Sequence, residues 1–221
     1  MRSVSKRCFD LFWTVLGLAL LAPLLVVVAV LVKIQDGGPV FFRQERVGHR
    51  GRPFRLWKFR TMVPDAPSRG PALTAERDPR MTRLGAWLRR VKLDELPQLF
   101  NVLAGEMSLV GPRPEVPRYV ALYNAEQRRV LELVPGLTDE ASIRYHAESA
   151  LLARARDPEQ TYVRTIMPAK IALSLAYAAR ATRWSDFRTI ITTLQRLWRA
   201  PDPESPGLTA LGGSGSLRSS E

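Results

Sequence analysis

The chain has 221 residues, with 33 lysines and arginines against 21 acidic residues and a formal net charge of +12. That length supports one compact catalytic-size domain with accessories rather than two full domains, and the charge points to anionic partners: phosphates, nucleic acid or acidic lipid headgroups. One cysteine, Cys8, and two histidines, His49 and His146, exclude an intramolecular disulfide, a cysteine metal cluster and a His-rich metal site.

Leu11–Val32 carries no charge. An apolar run of about 20 residues has the length of a membrane helix and exceeds a signal-peptide core. Pro23 falls at its midpoint, where it removes one helical hydrogen bond. Arg2, Lys6 and Arg7 precede the run; Lys33, Arg43, Arg46, Arg50, Arg52, Arg55, Lys58 and Arg60 follow it. The positive-inside tendency draws both flanks to the cytoplasm. A re-entrant segment, entering the bilayer, turning at Pro23 and returning to the same face, satisfies both. Each limb would reach roughly 14–18 Å at ~1.5 Å per residue, about half of a ~30 Å hydrocarbon core. A kinked spanning helix is the alternative.

The expected organisation is a membrane-embedded segment over 1–36, a cytoplasmic domain over 37–200 and a disordered Gly/Ser/Pro-rich tail over 201–221. Gly37-Gly38-Pro39 closes the first part. Val40–Arg46 and Pro53–Met62 read as a small β-hairpin joined by Gly48–Gly51. Phe54, Leu56 and Lys58 share one strand face. Val63–Arg80, with four prolines, reads as a loop. Helices are expected over Met81–Val91, from Asp94 with Pro97 in the first turn, and over Pro117–Leu133, Ala141–Arg156 and Tyr162–Thr182. Trp184–Arg199 is amphipathic: Trp184, Phe187, Ile191, Leu194 and Trp198 share a face flanked by arginines. It suits either the membrane interface or the protein core. The fold class is α+β, mostly helical, with amphipathic interfacial helices.

Asp94–Glu95 is the conspicuous pair. Adjacent carboxylates can hold a metal ion, attack phosphorus or move a proton, and at a helix start they can also be simple capping residues. Arg89, Arg90 and Lys92 lie just before them, and nearby cations keep carboxylates ionised. Lys58 and Arg60, in KFRTM, and Arg113, held between Pro112 and Pro114, are candidate phosphate-binding cations. A guanidinium in a stiff turn suits two-point binding of phosphate.

Taken together, these pieces resemble the bacterial sugar transferases, the monotopic phosphoglycosyl transferases that begin glycan assembly on a lipid carrier. The matching pieces are KRCFD at Lys6–Asp10, the proline-broken apolar segment and FFRQERVGHRGRPFRLWKFRTM at Phe41–Met62. LRRVKLDELPQLFNVLAGEMSLVGPRP at Leu88–Pro114 and PGLTDEASI at Pro135–Ile143 complete them. The resemblance implies transfer of a sugar-1-phosphate from a UDP-sugar donor to polyprenyl (undecaprenyl) phosphate, releasing UMP. It implies Asp94 as nucleophile and Mg²⁺ contact, Glu95 as its assistant, and Arg113 as a phosphate-binding residue. Lys58 and Arg89 match basic positions near the family's active site. It also implies the bacterial inner membrane with the catalytic domain on the cytoplasmic face, and membrane lipids and downstream glycosyltransferases as partners, with no nucleic acid. Two departures stand out: Ala22-Pro23 where many members have Ser-Pro, and PGLTDEASI where many read PGxTGxxQV.

Two other functions fit parts of the pattern. A membrane-tethered basic module binding nucleic acid or acidic lipid would not need a carboxylate pair beside a rigid P-R-P turn. A Mg²⁺-dependent phosphohydrolase would use the same aspartyl chemistry without a lipid acceptor.

Overall fold

The computed structural model describes residues 3–66, 78–145 and 148–197. The chain is mostly helical, with two small sheets. Helix α1 runs over Val4–Asp36, followed by strands β1 (Phe41–Val47) and β2 (Pro53–Phe59). Helices α2 (Arg83–Arg90) and α3 (Gln98–Ala104) come next, then strand β3 (Ser108–Val110) and helix α4 (Pro117–Val120). Strand β4 (Gly136–Thr138) precedes α5 (Glu140–Arg144), α6 (Glu148–Arg154), α7 (Pro158–Thr161), α8 (Met167–Arg180) and α9 (Arg183–Leu197).

The hairpin forms as expected, antiparallel, with Phe42 opposite Lys58 and Arg46 opposite Phe54. Its Gly48–Gly51 connection folds as a short 3-10 turn, His49–Gly51, with Arg50 and Gly51 at positive φ. Phe54 and Leu56 bury one strand face against Leu99 and Val102 of α3.

Several helices are shorter than the sequence suggests. Pro117–Leu133 divides into α4 and a 3-10 segment, Gln127–Glu132. A π-helical stretch, Tyr162–Ile166, precedes α8. The Val63–Arg80 loop is described only at its base. There Met62 bridges Met81, Val63 N–H donates to the Arg80 carbonyl at 3.0 Å, and Arg80 pairs with Asp78. The expected tail, His146 and Trp198 lie outside the described residues.

Helix α1 is 33 residues long and carries Pro23 inside it. It is long and apolar enough to cross a membrane. The helix includes residues on both sides of Pro23, which has no N–H to donate to the turn before it.

Both ends of α1 are tied to one domain. Lys6 Nζ meets Asp186 of α9 at 2.7 Å. The Arg7 guanidinium donates to the carbonyls of Val102 and Leu103 at 2.6 and 2.8 Å, closing the end of α3. Buried Asp10 accepts from Ser108 Oγ at 2.8 Å and from the Leu109 N–H at 3.2 Å. Farther along, Leu18 packs on the Phe54–Leu99 cluster, and Val28 and Val32 pack on Phe59 and Leu88. Asp36 then pairs with Arg60. Leu16, Leu20, Val26, Val27 and Leu31 remain exposed. Asp10→Ala would leave the Ser108 hydroxyl and Leu109 N–H unsatisfied, and is expected to cost about 1–3 kcal/mol. Urea melts in nanodiscs measure this; an unchanged midpoint would show that the tie carries no stability.

Helix α9 turns its polar side inward. Asp186 and Thr189 are buried, with Asp186 held by Lys6 and by the Tyr177 hydroxyl at 2.8 Å, while Thr193 bonds Thr138. Trp184, Ile191 and Leu194 face outward, Trp184 being 74% exposed. Phe187 lies between Trp184 and Trp13 of α1, with ring centroids 5.8 and 5.5 Å away. Of the two placements open for this apolar face, packing on the core is therefore the wrong one for Trp184, Ile191 and Leu194.

Candidate active site

Asp94 and Glu95 lie on a 3-10 turn, Leu93–Glu95, between α2 and α3. The turn is entered through Lys92 at φ 58, an unfavourable conformation for a side-chain-bearing residue. Asp94 does not begin a helix, which corrects the capping expectation. Helix α3 starts after Pro97, whose missing N–H is cheap at that position.

The two carboxylates have opposite environments. Asp94 is buried, and its Oδ1 has no hydrogen-bond partner among the described residues. Burial, then the neighbouring Glu95 charge, raises its pKa above the ordinary value, while Lys58, Lys92 and Arg89 oppose the shift. Glu95 takes the cations. Lys58 Nζ reaches its Oε1 at 3.0 Å, and Arg113 grips both oxygens, with Nη1 to Oε2 at 3.0 Å and Nη2 to Oε1. Burial alone would raise Glu95, but Arg113 and Lys58 outweigh it and hold the carboxyl well below the usual range. Burial in turn pulls Lys58 down despite Glu95.

Arg113 is held by its backbone neighbours. The Gly111 N–H donates to the Thr138 carbonyl at 3.0 Å and the Gly136 N–H to Pro112 at 2.9 Å. Arg46 donates to the Pro114 carbonyl at 3.0 Å, and the Val47 N–H to Glu115 at 2.8 Å. β3 and β4 pair in parallel beneath the turn. Their approach needs two glycines: a Cβ on Gly136 would sit 2.1 Å from Gly111 N, and one on Gly111 would sit 2.4 Å from the Val134 carbonyl.

The structure therefore brings together Asp94, Glu95, Lys58 and Arg113. Arg89 contributes charge to Asp94 while its Nε donates to Thr61 at 2.9 Å. Arg60 is placed elsewhere: its guanidinium is committed to Asp36 and the Val32 carbonyl at the end of α1. Pro23 lies far along α1 from all of these in sequence and takes no part in the cluster. Two contributors were missed. Arg46 pairs with Glu115 at 3.3 Å, and Glu115 also accepts from the Tyr162 hydroxyl in the π-helical stretch. Strand alternation carried a signal for Arg46, since Arg46 and Lys58 share a hairpin face. Gln98, buried one turn beyond Asp94 with Nε2 unpartnered among the described residues, is the other.

The departure at PGLTDEASI also has a structural meaning. Asp139 caps α5, accepting from the Ser142 N–H at 2.7 Å, and takes a second bond from Ser174 of α8 at 3.0 Å.

The structure thus joins an apolar helix to a small helical domain and sets one unpaired carboxylate oxygen beside an ion-paired neighbour. The chain belongs to the bacterial sugar transferase family, whose profile matches residues 1–200, and it is a transferase. It is 43% identical over 148 residues to a Bacillus subtilis (strain 168) protein provisionally named an undecaprenyl-phosphate N-acetylgalactosaminyl 1-phosphate transferase, covering 65% of this chain and 79% of that one. It is 34% identical over 197 residues to the UDP-glucose:undecaprenyl-phosphate glucose-1-phosphate transferase of Escherichia coli (strain K12), covering 86% of this chain and 39% of that one. It is 42% identical over 150 residues to the exopolysaccharide production protein ExoY of Rhizobium meliloti (strain 1021), covering 61% and 66% respectively. The chain thus spans most of the first relative and well under half of the second.

Proposed function

We propose that the protein transfers a sugar-1-phosphate from a UDP-sugar to undecaprenyl phosphate through a phosphosugar-aspartyl intermediate. The step would open exopolysaccharide, capsule, O-antigen or glycoprotein glycan synthesis at the membrane. The observation that carries this reading is the buried, unpaired Oδ1 of Asp94 beside the Glu95 clasp. In the first half-reaction an Asp94 oxygen bonds to the sugar-bearing phosphorus, the bond to the bridging oxygen breaks, and UMP leaves. In the second, a phosphate oxygen of undecaprenyl phosphate bonds to that phosphorus and the aspartyl bond breaks, restoring the carboxylate. Arg113 and Lys58 are placed to offset charge on the phosphoryl oxygens.

The site's donors suit Mg²⁺. Asp94 Oδ1 is a buried oxygen without a hydrogen-bond partner among the described residues, and Mg²⁺ commonly takes one or two carboxylates and fills its shell with phosphates and water. No group of three or more His, Cys, Asp or Glu able to hold a metal occurs among the described residues. Asp94 would therefore hold the ion together with the substrate, and the bound ion would offset diphosphate charge.

The same reading places α1 in the inner membrane as a re-entrant helix, with the domain at the cytoplasmic face. Ties to one polar domain at Arg7 and Asp10, and again at Val32 and Asp36, support entry and exit on one side. A spanning helix would separate those ends by the full hydrocarbon thickness, ~30 Å. The outward Trp184, Ile191 and Leu194 face of α9 suits the same interface.

Two measurements test this. Purified protein given Mg²⁺, undecaprenyl phosphate and a panel of UDP-sugars is expected to release UMP with at least one donor. Free sugar phosphate formed without the lipid would instead identify a hydrolase. For topology, cysteines at Arg2 and Glu221, in a Cys8→Ser background, are expected to react with impermeant maleimide only from the cytoplasmic side. Labelling of the two from opposite sides would make α1 a kinked span.

A further inference from the structure

Glu95 occupies the two cations best placed to grip a substrate phosphate. Arg113 closes on it with both terminal nitrogens, and Lys58 meets the same carboxylate at 3.0 Å. A carboxylate and a phosphate present similar paired oxygens to a guanidinium fork. Neither cation has a second acidic partner among the described ion pairs. Asp94, the neighbouring residue, meanwhile keeps Oδ1 unpaired. A phosphorus brought to Asp94 carries anionic oxygens that need those same cations, so the cations must change hands.

The geometry also says which partner moves. The backbone on either side of Arg113 is pinned through Gly111, Pro112, Pro114 and Glu115. Glu95 sits on a three-residue 3-10 turn, and the hydrogen bonds of its carboxylate among the described residues go to the two cations. We propose that Glu95 is a built-in stand-in for substrate phosphate. It keeps Arg113 and Lys58 poised in the resting enzyme and yields them when a phosphate or diphosphate group arrives. The proposal rests on the sugar-phosphate transfer reading given above.

Glu95→Gln keeps the shape and removes the competing charge. Calorimetry of UMP and inorganic pyrophosphate binding to the protein in nanodiscs is expected to show about tenfold tighter binding than wild type, because the unpaired cations regain an anion only from the ligand. Transfer is expected to fall in the same variant. Glu95→Asp, with a shorter arm, is expected to tighten binding by less and serves if the glutamine variant does not fold. Adding Arg113→Ala should erase the gain. A fall in KM for the UDP-sugar assigns the displacing phosphate to the donor; a fall for undecaprenyl phosphate assigns it to the acceptor. Unchanged or weaker binding of both probes, with neither KM lowered, overturns the proposal. If wild-type protein transfers nothing while Glu95→Gln still tightens pyrophosphate, the transfer reading fails and the stand-in survives.

Discussion

Replacing Asp94 with asparagine is expected to abolish transfer while making the protein more stable. Loss of the attacking oxygen should lower turnover at least about 10³-fold, in the range seen when a covalent nucleophile is removed. No phosphosugar adduct should then be trapped; an adduct at any other residue would refute the mechanism. The stability gain follows from burial. Asp94 is 5% exposed and its ionised form has an unpaired oxygen, so the fold carries a desolvation cost that a neutral amide relieves. A relief of about 1–2 kcal/mol corresponds to a rise of roughly 2–4 °C in melting temperature per kcal/mol for a chain of this size.

The pH dependence separates the two carboxylates. Asp94 has its pKa raised from 3.8, mainly by burial. The folded state therefore binds its proton more tightly than the unfolded chain, and wild-type stability falls as pH rises through the raised value. The advantage of Asp94→Asn should be greatest at neutral pH and vanish as the pH drops toward 3.8. Glu95 runs the other way. Its pKa is well below 4.5, so its contribution is complete above that value and is lost as acid titrates through the depressed one. Equal melting temperatures for wild type and Asp94→Asn at neutral pH would contradict the account of Asp94.

Arg113→Ala is expected to be the second most damaging change. Removing one charge-assisted donor from a developing phosphoryl charge typically costs about 10²–10³ in rate. Lysine should restore only part of this, because an ammonium cannot reproduce the two-point grip of a guanidinium on a phosphoryl group. The alanine variant should also lose stability, since Glu95 is left buried with Lys58 alone. Arg113 is 31% exposed, so solvent screening reduces that loss to about 1–3 kcal/mol. Comparing kcat/KM for the alanine and lysine variants checks the first part, and denaturant midpoints the second. Full activity with lysine would mean that charge alone, not the fork, is used.

The local patterns were legible where a single physical rule dominates. Strand alternation put Phe54, Leu56 and Lys58 on one face, which the structure buries at Phe54 and Leu56, and the apolar run marked α1. The dyad's cations could be anticipated as a group, but not their division. Whether Lys58 and Arg113 serve Asp94 or Glu95 depends on a left-handed turn residue, Lys92, and on the parallel β3–β4 pairing between segments distant in sequence. Arg60 sits two residues beyond Lys58, yet the C-terminal end of α1 captures it through Asp36. Asp94 looked like a cap because Asp94 and Glu95 followed by Pro97 favour a helix start; α3 nevertheless begins only after Pro97. On α9, periodicity identified an apolar face without giving its direction. That depended on Lys6, Tyr177 and Thr138 meeting the opposite side.

The inside-out packing of α9 bears on any attempt to free the catalytic part from its anchor. Deleting α1 would uncover the surfaces now covered by Leu18, Val28 and Val32 and strip Asp186 of its lysine. The outward Trp184–Leu194 face would remain. A truncated chain would then display two sticky surfaces and self-associate rather than become a soluble enzyme. Helix α1 and the catalytic part are one folding unit, and in the membrane placement proposed above the bilayer would take the place of part of its solvent.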